Sequence, residues 1–222
     1  MEPDFWHERW QDGRIGFHQA EVNKLLMKHW PTVCPDERAR VFVPLCGKSI
    51  DMTWLAERGH DVVGVELSEL AARDYFSERG LIPGETRKDH YLVLSGGGVQ
   101  IYVGDYFKLP ATVTKPAKAI FDRASLIALP TELRAQYASY LADITDTETR
   151  SLLLTITYPD GEIEGPPFSV TDANVIELFA RDFDVAHKET RDATSSSKNL
   201  TDRGATGVAT SVFVLTRRGA AE

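Results

Sequence analysis

One stretch of the chain, Arg40 to Glu66 (RVFVPLCGKSIDMTWLAERGHDVVGVE), constrains the fold more than any other. An apolar run, Val41-Phe42-Val43, leads into a turn, Pro44-Leu45-Cys46-Gly47-Lys48. A helical pattern follows, with Ile50, Trp54 and Leu55 on one side and Asp51, Glu57 and Arg58 on the other, and Gly59 stops it. A second apolar run, Val62 to Val65, ends on Glu66. Strand, tight turn, helix, strand and acid make the nucleotide half of a doubly wound α/β fold. The turn offers backbone N–H groups at a helix start, and an acid at the next strand tip can accept both ribose hydroxyls. The stretch therefore predicts an adenosine-type ligand.

Two other nucleotide motifs fail at this turn. Gly47-Lys48-Ser49 resembles the end of a P-loop, but the glycine required five residues earlier is Phe42, inside the strand. The dinucleotide pattern G-x-G-x-x-G fails because the turn holds one glycine. A ligand without phosphates fits better, and S-adenosylmethionine is one. A nicotinamide-dependent oxidoreductase is weakened on the same ground.

The remaining chain reads as one α/β domain over residues 1–222, with residues 1–30 as a helical arm. Residues 4–10 and 21–30 are predicted helices, the second ended by Pro31; the aromatic arm either covers a ligand or packs on the sheet edge. Tyr91–Leu94 and Val99–Val103 flank Ser95-Gly96-Gly97-Gly98 and read as a hairpin. Strands are also expected over 118–123, 150–157, 183–189 and 208–216, with a long polar loop at 190–207. Asp105 stands just past one strand, placed either to bind an adenine amino group or to cap a turn. Asp122 and Arg123 end another, either facing the ligand rim or pairing with each other. In an open parallel sheet the ligand crevice lies beyond the strand C-termini, so Gly47, Glu66, Asp105, Asp122 and Arg123 are expected on one rim.

Net charge is -8, which disfavours nucleic acid and anionic membrane as partners. No apolar run approaches the ~20 residues of a membrane span, and the N-terminus has no apolar signal core, so a cytoplasmic protein is expected. Cys34 and Cys46 make no metal-ligand spacing, and His7, His18 and His29 are too scattered for one, so no metal is expected. No apolar stretch is left obviously unassigned, and a monomer is expected.

With these elements placed, the sequence resembles the thiopurine S-methyltransferases, in particular the bacterial branch, over nearly its whole length. The likeness rests on Trp6-His7-Glu8-Arg9-Trp10 with Gly16-Phe17-His18, on Val43-Pro44-Leu45-Cys46-Gly47-Lys48, and on Arg58 to Glu66. Asp122-Arg123 and Gly165-Pro166-Pro167-Phe168 extend it. The resemblance implies a class I S-adenosylmethionine-dependent methyltransferase, with a doubly wound, mostly parallel seven-stranded sheet and an antiparallel last strand. It implies cofactor contacts at Trp10, Leu45, Glu66 and Arg123, with Asp105 and Tyr106 beside the adenine. It places Phe17 on a lid over the substrate. Arg123 and Arg203 are then the residues that act on the acceptor, an aromatic or heterocyclic thiol such as a thiopurine. Methylation of selenium or tellurium species in metalloid resistance is a further implied activity. A non-catalytic ligand-binding protein on the same fold is the alternative from another class.

Overall fold

The computed structural model describes residues 3–36 and 38–219. Its centre is the stretch singled out above. Strand β1 (Arg40–Val43) leads to helix α3 (Ile50–Glu57) and strand β2 (Asp61–Glu66), preceded by helices α1 (Pro3–Gln11) and α2 (Lys24–Val33). The chain continues through α4 (Glu69–Ser77), β3 (Gly84–Lys88), β4 (Tyr91–Gly96), β5 (Val99–Val103), α5 (Ala111–Thr114) and β6 (Ala119–Arg123). It closes with α6 (Thr131–Ile144), β7 (Arg150–Thr157), α7 (Asp172–Phe179), β8 (Phe183–Asp192), α8 (Lys198–Thr201) and β9 (Ala209–Arg217).

The nine strands form one sheet in the order β3-β4-β5-β2-β1-β6-β7-β9-β8. β5, β2, β1, β6 and β7 run parallel, and β9 is antiparallel to both of its neighbours. The expected seven strands are therefore present from β5 to β8, but the sheet is larger by two. β4 extends it antiparallel to β5, and β3 pairs with β4 as an edge. β3, Gly-Glu-Thr-Arg-Lys, is exposed at every position and has no apolar alternation, so it is held by the backbone ladder to β4 and by polar side chains such as Arg73, which bonds Glu85 at 2.7 Å.

Side-chain alternation divides the core into two layers. Val41, Val43, Val62, Phe121 and Leu152 pack beneath α2, α3 and α4, through Leu26, Trp30, Leu55 and Phe76. Phe42, Val63, Val65, Ile120 and Leu153 face the other way, against Tyr137, Leu141, Val175 and Phe179 of α6 and α7. Chain order turns at β1: it passes to β2 on one side, and β6 enters on the other. That switch point opens a crevice beyond the C-terminal ends of β1, β2 and β6.

Local sequence explains most of the helix boundaries. Ser68 caps α4 through Ala71 N–H, and Thr171 with Asn174 forms a capping box on α7. α2 departs from the expected 21–30 span. Asn23 caps it by accepting from Leu25 and Leu26 N–H, and Pro31 lies inside rather than after it. Proline there removes one bond in the last turns, and Cys34 N–H still reaches Trp30 O at 2.9 Å. Asp51, expected on the polar side of α3, is 1% exposed. Its Oδ1 accepts from Asn23 N–H (2.8 Å) and its Oδ2 from the Ser49 hydroxyl (3.1 Å), tying the entry of α2 to the start of α3. No helix among the described residues is long and apolar enough to cross a membrane.

Candidate active site

The turn after β1 is bent by two residues in the left-handed region, Leu45 (φ 42°) and Gly47 (φ 52°). Leu45 carries the strain of a side chain there, whereas glycine accepts it freely. Cys46 N–H anchors the turn on Val65 O at 2.9 Å. A Cβ on Gly64 would lie 2.6 Å from Cys46 Sγ, so the adjacent strand must be bare where the cysteine fits. Burial pushes the Cys46 thiol well above its ordinary pKa, and the buried Glu66 charge adds to the effect. It is a packed side chain, not a thiolate nucleophile.

Glu66, 6% exposed at the end of β2, is fixed from both sides. Gly47 N–H donates to Oε2 and Ser68 N–H to Oε1, each at 2.8 Å. Burial raises its pKa, and these backbone donors offset part of that. Each oxygen keeps a further acceptor site, so the carboxylate is held in place with capacity for two more donors.

Beyond β5, Gly104 N–H bonds Glu66 O (2.8 Å), which sets the next turn beside the carboxylate. Asp105 caps that turn by accepting from Phe107 N–H at 3.0 Å. The buried Tyr106 ring stacks on Tyr137, with centroids 5.0 Å apart. At the end of β6 the two polar residues part, as strand alternation requires. Asp122 does not reach the rim. It is 1% exposed on the sheet face that packs against α6 and α7 and accepts from Tyr137 OH at 2.6 Å. Burial lifts its pKa from 3.8 to about 6, against the opposing hydrogen bond from Tyr137. Arg123 faces the crevice, and its Nη2 donates to Phe17 O at 3.1 Å. Burial disfavours its charge, and Asp51 offsets part of that cost. Ser125 then ties the β6 exit to the β1 turn by donating to Pro44 O (2.7 Å).

The N-terminal arm lies across these strand tips. Trp10 packs on Gly47, where an added Cβ would come within 3.1 Å of its ring. Phe17 meets Trp10 and Trp6 edge-on at 5.4 and 5.9 Å. Lys48 is buried beneath Trp10 and bonds Glu78 Oε1 (2.6 Å) and Asp74 Oδ2 (3.4 Å). That pairing pulls the Glu78 pKa down. Its charge is spent inside the fold, which agrees with the absence of a P-loop. His18 is held below its usual pKa, first by burial and then by Lys48.

The segment expected as a 190–207 loop is built rather than loose. β8 runs to Asp192, α8 follows, and Leu200 is buried against Tyr158, Ala205 and Val208. Asn199 Nδ2 donates to Gly16 O (3.2 Å), joining this segment to the arm. Arg203 donates through Nη1 to Pro166 O (2.9 Å) and through Nη2 to Glu164 O, pinning the loop after β7.

All of these pieces enclose a single cleft of about 1420 Å³. Trp10, Phe17, Leu45, Glu66, Asp105, Tyr106, Arg123 and Arg203 all line it. Arg14 and Asn199 also line it without having been singled out from the sequence, and Arg9 entered only as part of the Trp6–Trp10 motif; a lone polar side chain gives no periodic signal. Among the described residues no group of three or more His, Cys, Asp or Glu side chains converges as a metal site.

The family model for thiopurine S-methyltransferase matches residues 1–218. The chain belongs to the thiopurine S-methyltransferase family. It is 42% identical to a thiopurine S-methyltransferase of Marinobacter nauticus over 98% of this chain and 100% of that protein. It is 44% identical to one of Xanthomonas axonopodis pv. citri, with the same coverages. Among solved structures, a 1,6-didemethyltoxoflavin-N1-methyltransferase of Burkholderia thailandensis, with bound 1,6-didemethyltoxoflavin and S-adenosylhomocysteine, superposes with a TM-score of 0.66 at 14% identity. That match covers 98% of this chain and 87% of the other. A magnesium protoporphyrin IX methyltransferase of Synechocystis matches with a TM-score of 0.65 at 16% identity, over 97% of both chains. At such identities the structural likeness establishes the fold, a class I methyltransferase-like α/β architecture.

Proposed function

We propose that the chain transfers a methyl group from S-adenosylmethionine to the sulfur of an aromatic or heterocyclic thiol such as a thiopurine. The observation that carries this is Glu66, buried at a strand tip over a single-glycine turn, with Arg123 across the same cleft. Membership of the thiopurine S-methyltransferase family supports the choice of acceptor.

The cleft fits the cofactor by its donor set. Glu66 has acceptor capacity for two ribose hydroxyls, the turn at Asp105-Tyr106 offers a place for the adenine, and Leu45 and Trp10 supply apolar walls. When bound, S-adenosylmethionine supplies an electrophilic methyl on a sulfonium. The chain's own work is then to hold the acceptor in line and exclude water. Trp10 and Phe17 on the arm exclude water, which makes residues 1–30 a lid on the single domain. Many heterocyclic thiols ionise near neutral pH, so the site needs no dedicated base. Arg123 and Arg203 favour the thiolate and orient its ring. They must not grip it too tightly, because the charge they attract is neutralised in the transfer.

Selenium or tellurium anions are soft nucleophiles that the same cleft would accept, and a cytoplasmic monomer is the working form in this reading. The test is transfer of label from S-adenosylmethionine to 6-mercaptopurine, beside acceptors derived from selenite and tellurite. Transfer to the thiopurine supports the proposal. Binding of the cofactor without transfer to any acceptor leaves the non-catalytic alternative standing.

A further inference from the structure

A cleft suited to thiolates also meets acceptors that arrive protonated. Their proton must leave as the new S–C bond forms, and that takes a base with a free lone pair inside the cleft. Few side chains there qualify. Glu66 is held by Gly47 and Ser68 N–H, Asp105 caps Phe107, and Asp192 caps Thr194 at 2.8 Å. Glu21 is exposed at the lip, where water competes for it. Burial raises the pKa of Tyr106 and of Tyr137 well above the ordinary phenol range, so both stay protonated. Lys48 is paired with Glu78 and Asp74.

His18 differs from all of these. It lines the cleft half-buried, directly after Phe17 on the arm. Its backbone N–H donates to Ile15 O at 2.8 Å and closes the turn that carries Gly16 and Phe17. Arg123 Nη2 on Phe17 O and Asn199 Nδ2 on Gly16 O hold that turn, and Asp51 on Asn23 N–H anchors the chain beyond it. The backbone on either side is therefore fixed, yet the His18 ring makes no hydrogen bond to any described residue. By contrast, His29 is bonded to Glu189, and buried His60 accepts from Trp30 Nε1 at 2.9 Å. The charged groups that face His18 are Lys48, Arg123 and Arg79, with Glu78 opposing them. Burial first, then Lys48, favours the neutral imidazole, which keeps one ring nitrogen open as an acceptor at neutral pH. Arg123 in the same cleft favours ionisation of a bound thiol, which brings acid and base toward the match that proton transfer needs.

We propose that His18 is the general base for methyl acceptors that enter the cleft protonated. This rests on the methyl-transfer reading above and goes beyond it, since acceptors already ionised need no base. The acceptor's S–H bond, or the ring N–H of its thione form, breaks, and the proton joins the open nitrogen of His18. The electron pair left to the acceptor's sulfur forms the new S–CH3 bond. The methyl carbon's bond to the cofactor sulfur breaks, and its pair returns to that sulfur. The half-exposed ring then gives its proton to solvent.

The test follows kcat/KM against pH for 6-mercaptopurine and for 4-nitrothiophenol, in the intact chain and in His18→Gln. At about pH 6 the thiopurine is largely protonated and the nitrothiophenol is the thiolate, so only the first calls on a base. The intact chain is expected to hold its rate on 6-mercaptopurine below the thiopurine's own ionisation, down to that of His18, which lies below the ordinary imidazole range. His18→Gln should move this limb up to the thiopurine's ionisation. At about pH 6 the variant should lose about tenfold more on 6-mercaptopurine than on 4-nitrothiophenol. Equal losses on both acceptors would make His18 part of the arm's packing and overturn the proposal, as would a variant as active as its parent on the thiopurine. Should glutamine disturb the fold, the intact chain decides alone: a limb already at the thiopurine's own ionisation leaves the ring no proton to take. Methylation of neither acceptor removes the transfer reading itself, and the base with it.

Discussion

Single residues show where physical chemistry could be read directly and where it could not. Glu66 stands where the sequence placed it, at a strand tip lining the cleft. Asp122, expected on the rim beside Arg123, does not: strand alternation sends one of the pair inward, and nothing local says which. The buried carboxyl makes a pH prediction. Its pKa rises from 3.8 unfolded to about 6 folded, so the native state binds the proton more tightly. Stability from this group is full below about pH 4, falls as pH rises and is gone above about 6, a swing on the order of 3 kcal/mol as an upper bound. Asp122→Asn keeps an acceptor for Tyr137 and removes the charge. Urea unfolding of the variant should show a gain over the parent at neutral pH that vanishes toward pH 4; a pH-independent difference would contradict the burial argument. Gly64 gives a second prediction. Alanine there puts a Cβ 2.6 Å from Cys46 Sγ and 3.3 Å from Met52 Sδ, which should cost about 1–3 kcal/mol by overpacking. Adding Cys46→Ala should recover most of that loss. Simple additivity of the two changes in a double-mutant cycle would show that the clash is not the cause.

At the scale of elements, the parallel strands were readable because apolar runs bounded by turn residues leave few choices. β3 escaped because an exposed edge strand needs no apolar side chains, and α2 shifted because Asn23 outweighed the apparent stop at Pro31. The arm could not be assigned from composition, since aromatic residues serve equally as packing and as a cover. Its contacts now connect it to the strand tips through Trp10 on Gly47 and through Phe17 O, which accepts from Arg123. Arg123→Lys separates the roles of that link. Lysine keeps the charge but not the fork, so the carbonyl of Phe17 and an acceptor thiolate cannot both be held in the same geometry. The variant is expected to lose about tenfold or more in kcat/KM for 6-mercaptopurine, with a change in Tm of no more than a few degrees. Equal catalytic efficiency would remove Arg123 from the acceptor's side of the reaction. A large fall in Tm with activity retained would make it a structural tie alone.

For the whole molecule, the sequence gives the class of ligand through what the central turn lacks, while the size and sign of the cleft depend on segments far apart in the chain. The strand tips at 47, 66, 105 and 123 were expected on one rim and do line one cleft, whereas the part that residues 9–18 and 199–203 take in closing it follows from no pattern within those segments. A ligand that bridges these segments must stabilise the whole fold, because it binds the native arrangement and not the unfolded chain. S-adenosylmethionine at a hundred times its dissociation constant should add about 2.7 kcal/mol, a rise of roughly 5–10 °C in Tm for a chain of this length. NAD should give no shift, since the one-glycine turn leaves its pyrophosphate without a cradle. Glu66→Ala should abolish the response to S-adenosylmethionine while the unliganded chain still unfolds cooperatively. The carboxylate also holds Gly47 and Ser68 N–H, so some loss of intrinsic stability will accompany the change. The ligand-dependent increment isolates binding from that loss. A variant that keeps the full increment would show that the ribose does not meet this residue, whatever the activity of the parent.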